Sequence, residues 1–568
     1  MRTALGRFSF FRLFCSMQLS KAGGTLFWAL IGALLFIPFN GNVHLFDWDE
    51  INFAEIAREM VLLNNFQEPF INFVSFTEKP PLFFWLQAGS MMIWGVNEFA
   101  ARFPNAILGA ITLACLFRWG SGMGGARLGY LWALVYTGSV LPHLYFKSGI
   151  IDPWFNFFIF SGILGLFRGV QEKKKGNRHL KWMWLAGVAT GLGILTKGPV
   201  ALLITGLMVF VLLAMKLFRG PFSFAQLFHY GCSVILTTAL WMGYNFMVNG
   251  EKFIVEFTIR QWALLTTPDA GHGGFLMYHF VVLLWGCFPM AAFMIFGFFQ
   301  RETKSELLAT MKQWMQVLFW VVLILFTLVN TKIVHYSSLC YFPMSFLAAL
   351  SIDRIIANKW RYAAWVKYIL WLTALPYLLV PIAFAYLGQN IDELKPLLEA
   401  DPFALANLAA DVTWSGWEWL PALWMLVVLM LFTWLQQQNK WMRAIQVLFW
   451  GAAIWVQAGL FFYIKRVEGY SQRANIEFWE SKQGQDVYLT SFGYKTYTHY
   501  FYGKIQPPKN PKYHESEWLL KGAVDKPVYI SVKITQEEEL KQTLPDAKLL
   551  YSKNGFSFYE RRPVLPAK

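Results

Sequence analysis

The sequence predicts a polytopic membrane protein that is mainly α-helical and ends in a small α/β domain. Of its 568 residues, 56% are apolar and 18% are aromatic. Only 15% are charged, whereas about a quarter of the residues of a soluble protein are charged. Apolar windows near the roughly 20 residues that span a bilayer recur from residue 23 to about residue 463. We therefore expect transmembrane helices rather than a barrel.

Lys and Arg are enriched in cytoplasmic loops, so the positions of the basic loops indicate how many apolar segments cross the membrane. The basic loops are 1 to 21, 118 to 127, 168 to 181, 216 to 219, 301 to 312, 354 to 367 and 440 to 443. If all of them are inside, thirteen spans alternate correctly: 23–39, 99–117, 128–146, 153–168, 182–196, 199–215, 226–248, 275–299, 313–330, 338–352, 363–387, 417–436 and 444–463. The net charge of +15 is then a topology signal, and we expect no nucleic acid partner.

One further apolar stretch, "PPLFFWLQAGSMMIWGV" (80 to 96), must not cross in this count. Its two prolines and modest length predict an interfacial helix, with Trp85 and Trp94 at the headgroup level. Thirteen spans place the N-terminus inside, as an uncleaved anchor, and the C-terminal residues outside. The five cysteines lie in or beside apolar segments and suggest no disulfide framework.

The C-terminal residues 465–568, called the tail below, have the pattern of a separate α/β domain on the outer side. The chain therefore divides into a transmembrane domain, 1–464, and this outer domain, 465–568. "DVYLTSF" and "KPVYISVKI" predict strands, "TQEEELKQTL" predicts a helix, and a hairpin is expected around Asn554 and Gly555. No residue spacing in the tail indicates catalysis.

The loop after the first span collects carboxylates in "FDWDEINFAEIAREM" (46 to 60). Its apolar residues recur at helical spacing from Phe53 to Val61, while Glu55 and Glu59 fall on the other face. This pattern predicts a helix lying on the membrane with its acids in water. Asp49 stands at the helix start, where it can act as an N-cap or as a functional carboxylate.

Other polar residues fall on the same outer side by this count. They are Glu50, Glu78 and Lys79 in the first loop, Asp152, Lys197, Lys332, His335 and Tyr336 at span ends, and His272 in a glycine-rich loop. Ionisable groups at such depths are costly and usually functional. Carboxylates and lysines together can bind an anion and transfer a proton. The sequence has no Walker loop, which would indicate a soluble nucleotide. The pattern therefore indicates a lipid phosphate, whose tail can lie in an apolar groove of the membrane domain.

At these residues the sequence resembles the membrane glycosyltransferases of the C-type fold. The resemblance is greatest to the branch of the lipid A aminoarabinose transferases and the bacterial relatives of protein O-mannosyltransferases. The matched segments are "DEINFAEIAREM" (49 to 60), "FTEKPPLFFWL" (76 to 86), "GVNEFAARFPNAILG" (95 to 109), "DPWFNFF" (152 to 158), "LTKGPVALL" (195 to 203) and "TKIVHYSSLCYFP" (331 to 343).

The resemblance implies inverting transfer of a sugar from a polyprenyl phosphate carrier at the periplasmic face of a bacterial inner membrane. The acceptor is lipid A, another glycolipid or a protein. Asp49 is implied as the essential acid, with Asp152 as a second catalytic carboxylate. The resemblance also implies that Lys79 binds the donor phosphate. From the residues themselves we expect Lys197, Lys332 and Tyr336 to bind it too, with Glu50, Glu78 and His335 in support.

The same resemblance leaves two questions open. Relatives can hold a divalent metal such as zinc between the positions of Glu78 and His272, but two ligands are few for such a site.

A transporter of a lipid-linked sugar is the alternative function, and it predicts internal repeats and charges near the bilayer midplane. The sequence has no such repeat, and its charges cluster at span ends. A scaffold role would leave the Glu-Lys-Pro-Pro and Thr-Lys-Gly segments unexplained.

Overall fold

A computed structural model describes residues 20–215, 220–266, 273–302 and 305–563. Its first part is a bundle of helices: α1 Lys21–Phe36, α2 Asp49–Leu63, α3 Leu82–Trp94, α4 Glu98–Gly124, α5 Ala126–Thr137, α6 Val140–Tyr145, α7 Asp152–Lys174, α8 Leu180–Lys197, α9 Val200–Ala214, α10 Phe224–Asn249, α11 Lys252–Thr266, α12 Tyr278–Gly286, α13 Met290–Phe299, α14 Glu306–Leu328, α15 Tyr341–Ile356, α16 Ala364–Gln389, α17 Pro402–Asn407, α18 Leu420–Gln437 and α19 Trp441–Gly459. A short hairpin, β1 Phe70–Ile71 with β2 Val74–Ser75, follows α2, and a 3-10 helix at Val334–Cys340 precedes α15.

The bundle is that of a multi-pass membrane protein, as predicted. Each of the thirteen predicted segments contains a helix or a broken pair of helices. Within the described residues, eight helices are long and apolar enough to cross a membrane, or nine if α12 and α13, bent by 111° at their junction, form one span. Other apolar helices, including α1, α3 and α9, are shorter. The count of thirteen crossings and the interfacial position of α3 stay predictions.

The tail folds as the sequence predicts. A π-helix at Leu460–Ile464 continues α19 into α20 Lys465–Ser471, so the predicted boundary at 464 falls inside a continuous helical stretch. The following elements are α21 Arg473–Glu480, β3 Tyr488–Phe492, α22 Thr498–Phe501, α23 Ser516–Lys521, β4 Val528–Lys533, α24 Glu537–Thr543, β5 Lys548–Lys553 and β6 Phe556–Arg561.

The four strands of the tail form one sheet in the order β3-β4-β6-β5. β3 and β4 pair in parallel, and the other two pairs are antiparallel. The hairpin turns at Asn554 and Gly555, both with positive φ, which explains the Asn-Gly pair. Phe478 and Phe558 stack at 4.1 Å between ring centroids, so α21 closes one face of the sheet.

The tail covers α2, and this corrects the expectation of a helix lying on the membrane. Every residue of α2 from Glu50 to Met60 is buried. Its apolar side chains share one core with α3 and with tail residues such as Trp479 and Phe558. Periodicity predicted an outward acidic face because it could not show that the distant tail packs there.

The buried acids of α2 are held by specific partners. Arg58 donates two hydrogen bonds of 2.7 Å to Glu55, and it also donates to the backbone carbonyl of Ile505 in the tail. Glu59 accepts a hydrogen bond of 2.9 Å from the backbone N–H of Phe73. Burial, together with the charge of nearby Glu55, raises the pKa of Glu59 to about 9.

The substitution Glu59→Gln tests this arrangement. The folded protein holds a proton on Glu59 that the unfolded chain releases, so this residue costs stability as pH rises from about 4.5 towards 9. We expect the thermal midpoint of the native protein to fall more steeply between about pH 7 and pH 9 than that of Glu59→Gln. Glu515→Gln, at an exposed acid, is the control and should follow the native protein. Parallel curves for all three proteins would contradict the proton assignment.

Candidate active site

A polar cavity of about 550 Å³ lies where α2 meets the ends of the long helices. It is lined by Phe46, Asp47, Trp48, Asp49, Glu50, Asn52, Phe53, Glu78, Lys79, Ile150, Ile151, Lys197, Arg260, Ile333, His335, Tyr336, Lys495 and Tyr497. The structure thus brings together most of the residues that the sequence predicted, from segments up to about 450 positions apart. It adds residues from α11 and from the tail.

Helix ends position the central charges of this cavity. α7 begins at Asp152, where Pro153 in the first turn favours helix initiation. α8 ends at Lys197 because Gly198 adopts a φ of +106° and a proline follows. Asp49 opens α2, but the N-cap residue is Trp48, and no side chain of the described ranges caps this end. The carboxylate of Asp49 therefore does not serve as the helix cap.

Two carboxylates and two basic groups form the centre of the site. Lys197 Nζ lies 2.5 Å from Asp152 Oδ1. His335 Nε2 lies 3.5 Å from Asp49 Oδ2 and 3.9 Å from Asp152 Oδ2. The Asp152 side chain is only 4% exposed, whereas that of Asp49 is 40% exposed. Asp49 can therefore reach a substrate, while Asp152 is placed to hold Lys197 and His335.

A second ion-pair group contains Glu78. Lys79 Nζ lies 2.8 Å from one carboxylate oxygen of Glu78, and Arg260 from α11 lies 3.1 Å from the other. Gln261 also donates to the backbone carbonyl of Glu78. Burial raises the pKa of Glu78, but Lys79 and then Arg260 outweigh it and lower this pKa to about 2. Glu78 stays ionised and aligns two cations along the cavity wall.

Glu50 supports the site as a buried brace. It pairs with Arg102 at 2.7 Å and accepts hydrogen bonds from the backbone N–H groups of Phe46 and Gly149. Both of its oxygens are thus occupied by α4 and by the two loops beside Asp49 and Asp152. Its predicted supporting role is structural.

Lys332 lines neither this cavity nor the groove described below, and its predicted phosphate role stays a prediction. Its Nζ donates to the backbone carbonyls of Phe326, Thr327 and Val329 at the C-terminal end of α14. These carbonyls lack helical partners, so the lysine caps the helix. The spacing of "NTKIVHY" could not separate this role from phosphate binding, because both place a lysine at a span end.

An apolar groove of about 270 Å³ adjoins the polar cavity. Its walls come mainly from α7, α9 and α14, and its apolar lining includes Phe155, Val200, Leu203, Ile204, Leu325, Phe326, Val329 and Leu339. Lys79, Lys197 and Tyr336 line both spaces. Lys197 Nζ also lies 5.2 Å from the centre of the Tyr336 ring. The two spaces therefore meet at a pair of lysines.

The tail supplies one wall of the cavity, which the sequence did not predict. The backbone N–H of Tyr497 donates to Asp47 at 3.4 Å, and Trp48 Nε1 donates to the carbonyl of Lys495 at 3.0 Å. Burial, partly offset by hydrogen bonds from Thr496 and Tyr497, raises the pKa of Asp47 to about 6. No local signal could have found these tail residues, since their partners lie near the start of the chain.

The residues at Glu78 do not fit a divalent metal in the described part of the chain. Both carboxylate oxygens of Glu78 face cations, and no three His, Cys, Asp or Glu side chains converge within the described ranges. The second predicted ligand, His272, lies outside the described residues. The metal stays a prediction, and no step below uses it.

Comparisons with known structures support the architecture around this site. The chain superimposes on the crystal structure of ArnT from Cupriavidus metallidurans bound to undecaprenyl phosphate with a TM-score of 0.74, covering 95% of this chain and 98% of that one at 16% identity. The apo form of that protein gives a TM-score of 0.69. The chain has the C-type glycosyltransferase fold. This fold was predicted from the motifs of the first loops, and the prediction is confirmed.

Sequence comparisons agree with the C-type fold. Residues 78–242 match the family described as dolichyl-phosphate-mannose-protein mannosyltransferase. The undecaprenyl phosphate-alpha-4-amino-4-deoxy-L-arabinose arabinosyl transferase of Pectobacterium carotovorum is 26% identical over 424 residues, 70% of each chain. The corresponding transferase 2 of Proteus mirabilis is 27% identical over 280 residues. That alignment spans 48% of each chain, so the chain spans about half the length of this relative.

A double-mutant cycle tests the pairing of Asp152 with Lys197. Lys197→Met leaves a buried carboxylate without its cation, which typically costs about 3 kcal/mol or more of stability. We expect a clear fall in the thermal midpoint in detergent for this variant. The single variant Asp152→Asn completes the cycle. In the double variant Asp152→Asn/Lys197→Met the stranded charge is gone, so we expect its midpoint to fall by less than the sum of the two single losses. Additive losses would show that the two side chains do not interact.

Proposed function

We propose that the protein is a membrane glycosyltransferase that transfers a sugar from a polyprenyl phosphate carrier, with inversion, to a lipid A-type or other acceptor. The observation that carries this proposal is the shared wall of Lys79, Lys197 and Tyr336 between the polar cavity and the apolar groove. A lipid phosphate satisfies both spaces at once, because its tail fits the groove and its headgroup meets the lysines. The relatives named for undecaprenyl phosphate-linked sugars support the same carrier.

The chemistry follows from the charges around the cavity. The acceptor oxygen attacks the anomeric carbon of the sugar, the bond from that carbon to the phosphate oxygen breaks, and the phosphate leaves with the electron pair. Lys79 and Lys197 stabilise the negative charge that grows on the leaving phosphate. Their carboxylate partners orient both ammonium groups before the donor arrives.

Asp49 is the proposed catalytic carboxylate because it is the exposed acid beside His335. When the acceptor is a hydroxyl, Asp49 takes its proton as a general base. When the acceptor is an anionic phosphate, no proton is released, and Asp49 orients the sugar instead. Asp152 acts through Lys197 and His335, so it is a positioning residue in this proposal.

The proposed location is the periplasmic face of a bacterial inner membrane, with the tail on that side. The basic loops support this orientation, since they collect at the bundle end opposite the cavity in the predicted count. Reaction at this face fits a lipid-linked donor, because soluble nucleotide sugars are cytoplasmic substrates. The transporter alternative gains no support from the relatives, which are named as transferases.

The substitutions Asp49→Asn and Lys79→Ala test the proposed roles separately. Asp49→Asn should lower the transfer rate by about 10²-fold or more while the protein still binds polyprenyl phosphate. Lys79→Ala should weaken polyprenyl phosphate binding as well as transfer, since it removes a phosphate ligand. Transfer is measured with a synthetic polyprenyl phosphate sugar, and binding is measured by native mass spectrometry.

The control for these variants is Lys548→Ala, at an exposed lysine on β5 that lines neither the cavity nor the groove. It should bind and transfer as the native protein does. Undiminished transfer in both Asp49→Asn and Lys79→Ala would overturn the proposed function.

Lys332→Met separates helix capping from phosphate binding. The variant leaves carbonyls at the end of α14 without a donor, so we expect a lower thermal midpoint, equivalent to about 1–3 kcal/mol. The folded fraction should bind polyprenyl phosphate with native affinity, because Lys332 does not line either space. A large loss of binding without loss of stability would restore Lys332 to the phosphate site.

A further inference from the structure

Among the described residues, four Lys and Arg side chains line the polar cavity: Lys79, Lys197, Arg260 and Lys495. The first three each lie within 3.1 Å of a carboxylate oxygen. For Lys495, the ion pairs of the described residues include no carboxylate partner. Its charge is therefore available to a ligand, whereas the other charges are partly neutralised by the site itself.

Lys495 is held at the cavity wall although its side chain is exposed. Its backbone carbonyl accepts a hydrogen bond of 3.0 Å from Trp48 Nε1. Its ammonium lies 5.1 Å from the centre of the Trp48 ring and 5.6 Å from that of Tyr497. These distances are those of cation–π contacts, which orient a lysine without neutralising it.

Lys495 belongs to the part of the cavity lining that the groove does not share. Lys79, Lys197 and Tyr336 line both spaces, whereas Trp48, Lys495 and Tyr497 line the polar cavity and not the groove. In an inverting displacement the acceptor approaches the anomeric carbon opposite to the leaving phosphate. With the phosphate on the lysines that both spaces share, the acceptor enters through the part of the cavity that the groove does not share, and Lys495 lines that part.

We infer that Lys495 is a specificity residue that binds an anionic group, a phosphate or a carboxylate, on a saccharide acceptor. The ammonium suits the anion as a flexible point charge. The inference rests on the proposed function and adds that the small C-terminal domain takes part in choosing the acceptor.

Acceptor binding tests this inference without requiring transfer. The probes are phosphorylated lipid A and the same lipid after phosphatase treatment, each titrated against the protein in nanodiscs. Lys495→Ala should weaken binding of the phosphorylated lipid about five- to tenfold, and Lys495→Arg should retain most of it. The dephosphorylated lipid should bind the native protein and Lys495→Ala equally. Lys548→Ala should bind both lipids as the native protein does.

Two results would overturn the inference. One is equal affinity of the native protein and Lys495→Ala for the phosphorylated lipid, which would leave Lys495 as a surface charge. The other is binding of an acidic peptide, but not of the lipid, that depends on Lys495. That result would show that the ligand of Lys495 is not a saccharide. Polyprenyl phosphate affinity, measured in parallel, should be the same in native protein and Lys495→Ala. If the native protein does not bind polyprenyl phosphate at all, that result counts against the proposed function instead.

Discussion

The buried pair of Glu50 and Arg102 is the interaction on which the site depends. Arg102 donates to Glu50 and to three backbone carbonyls between Asn40 and His44, while Glu50 accepts from the N–H groups of Phe46 and Gly149. One ion pair thus joins α4, the start of α2 and the loop before α7. Removal of one partner would strand a buried charge, so loss of this pair is expected to be strongly destabilising. Asp49 and Asp152 take their relative positions from it.

Beside this buried ion pair, the site has an apolar part and a polar part. The groove between α7, α9 and α14 offers apolar walls, and the adjoining cavity offers carboxylates and cations. Each lysine at the junction is paired with its own acid, so the site is neutral enough to fold and still presents two ammonium groups to a phosphate. The tail supplies one wall of the cavity and packs against α2. This packing explains why the acidic residues of α2 are buried.

The sequence was informative where the signal is local or compositional. Apolar windows predicted the helical bundle, the Asn554-Gly555 turn predicted the tail hairpin, and family motifs predicted the C-type fold and most cavity residues. It was wrong where packing between distant segments decides. Periodicity placed Glu59 in water although the tail buries it. The phosphate role of Lys332 stays a prediction, because the structure shows this lysine bonded to the end of α14. Lys495 stayed hidden because its role depends on a contact with Trp48, far away in the chain.

The central claim is that a lipid phosphate binds where the polar cavity and the apolar groove meet. Cryo-electron microscopy of the protein in nanodiscs with bound polyprenyl phosphate tests it most directly. We predict that the phosphate contacts the ammonium groups of Lys79 and Lys197 and that the chain lies between α9 and α14. A phosphate held elsewhere, with the groove filled by bulk lipid and both lysines still bound only to their acids, would contradict the account.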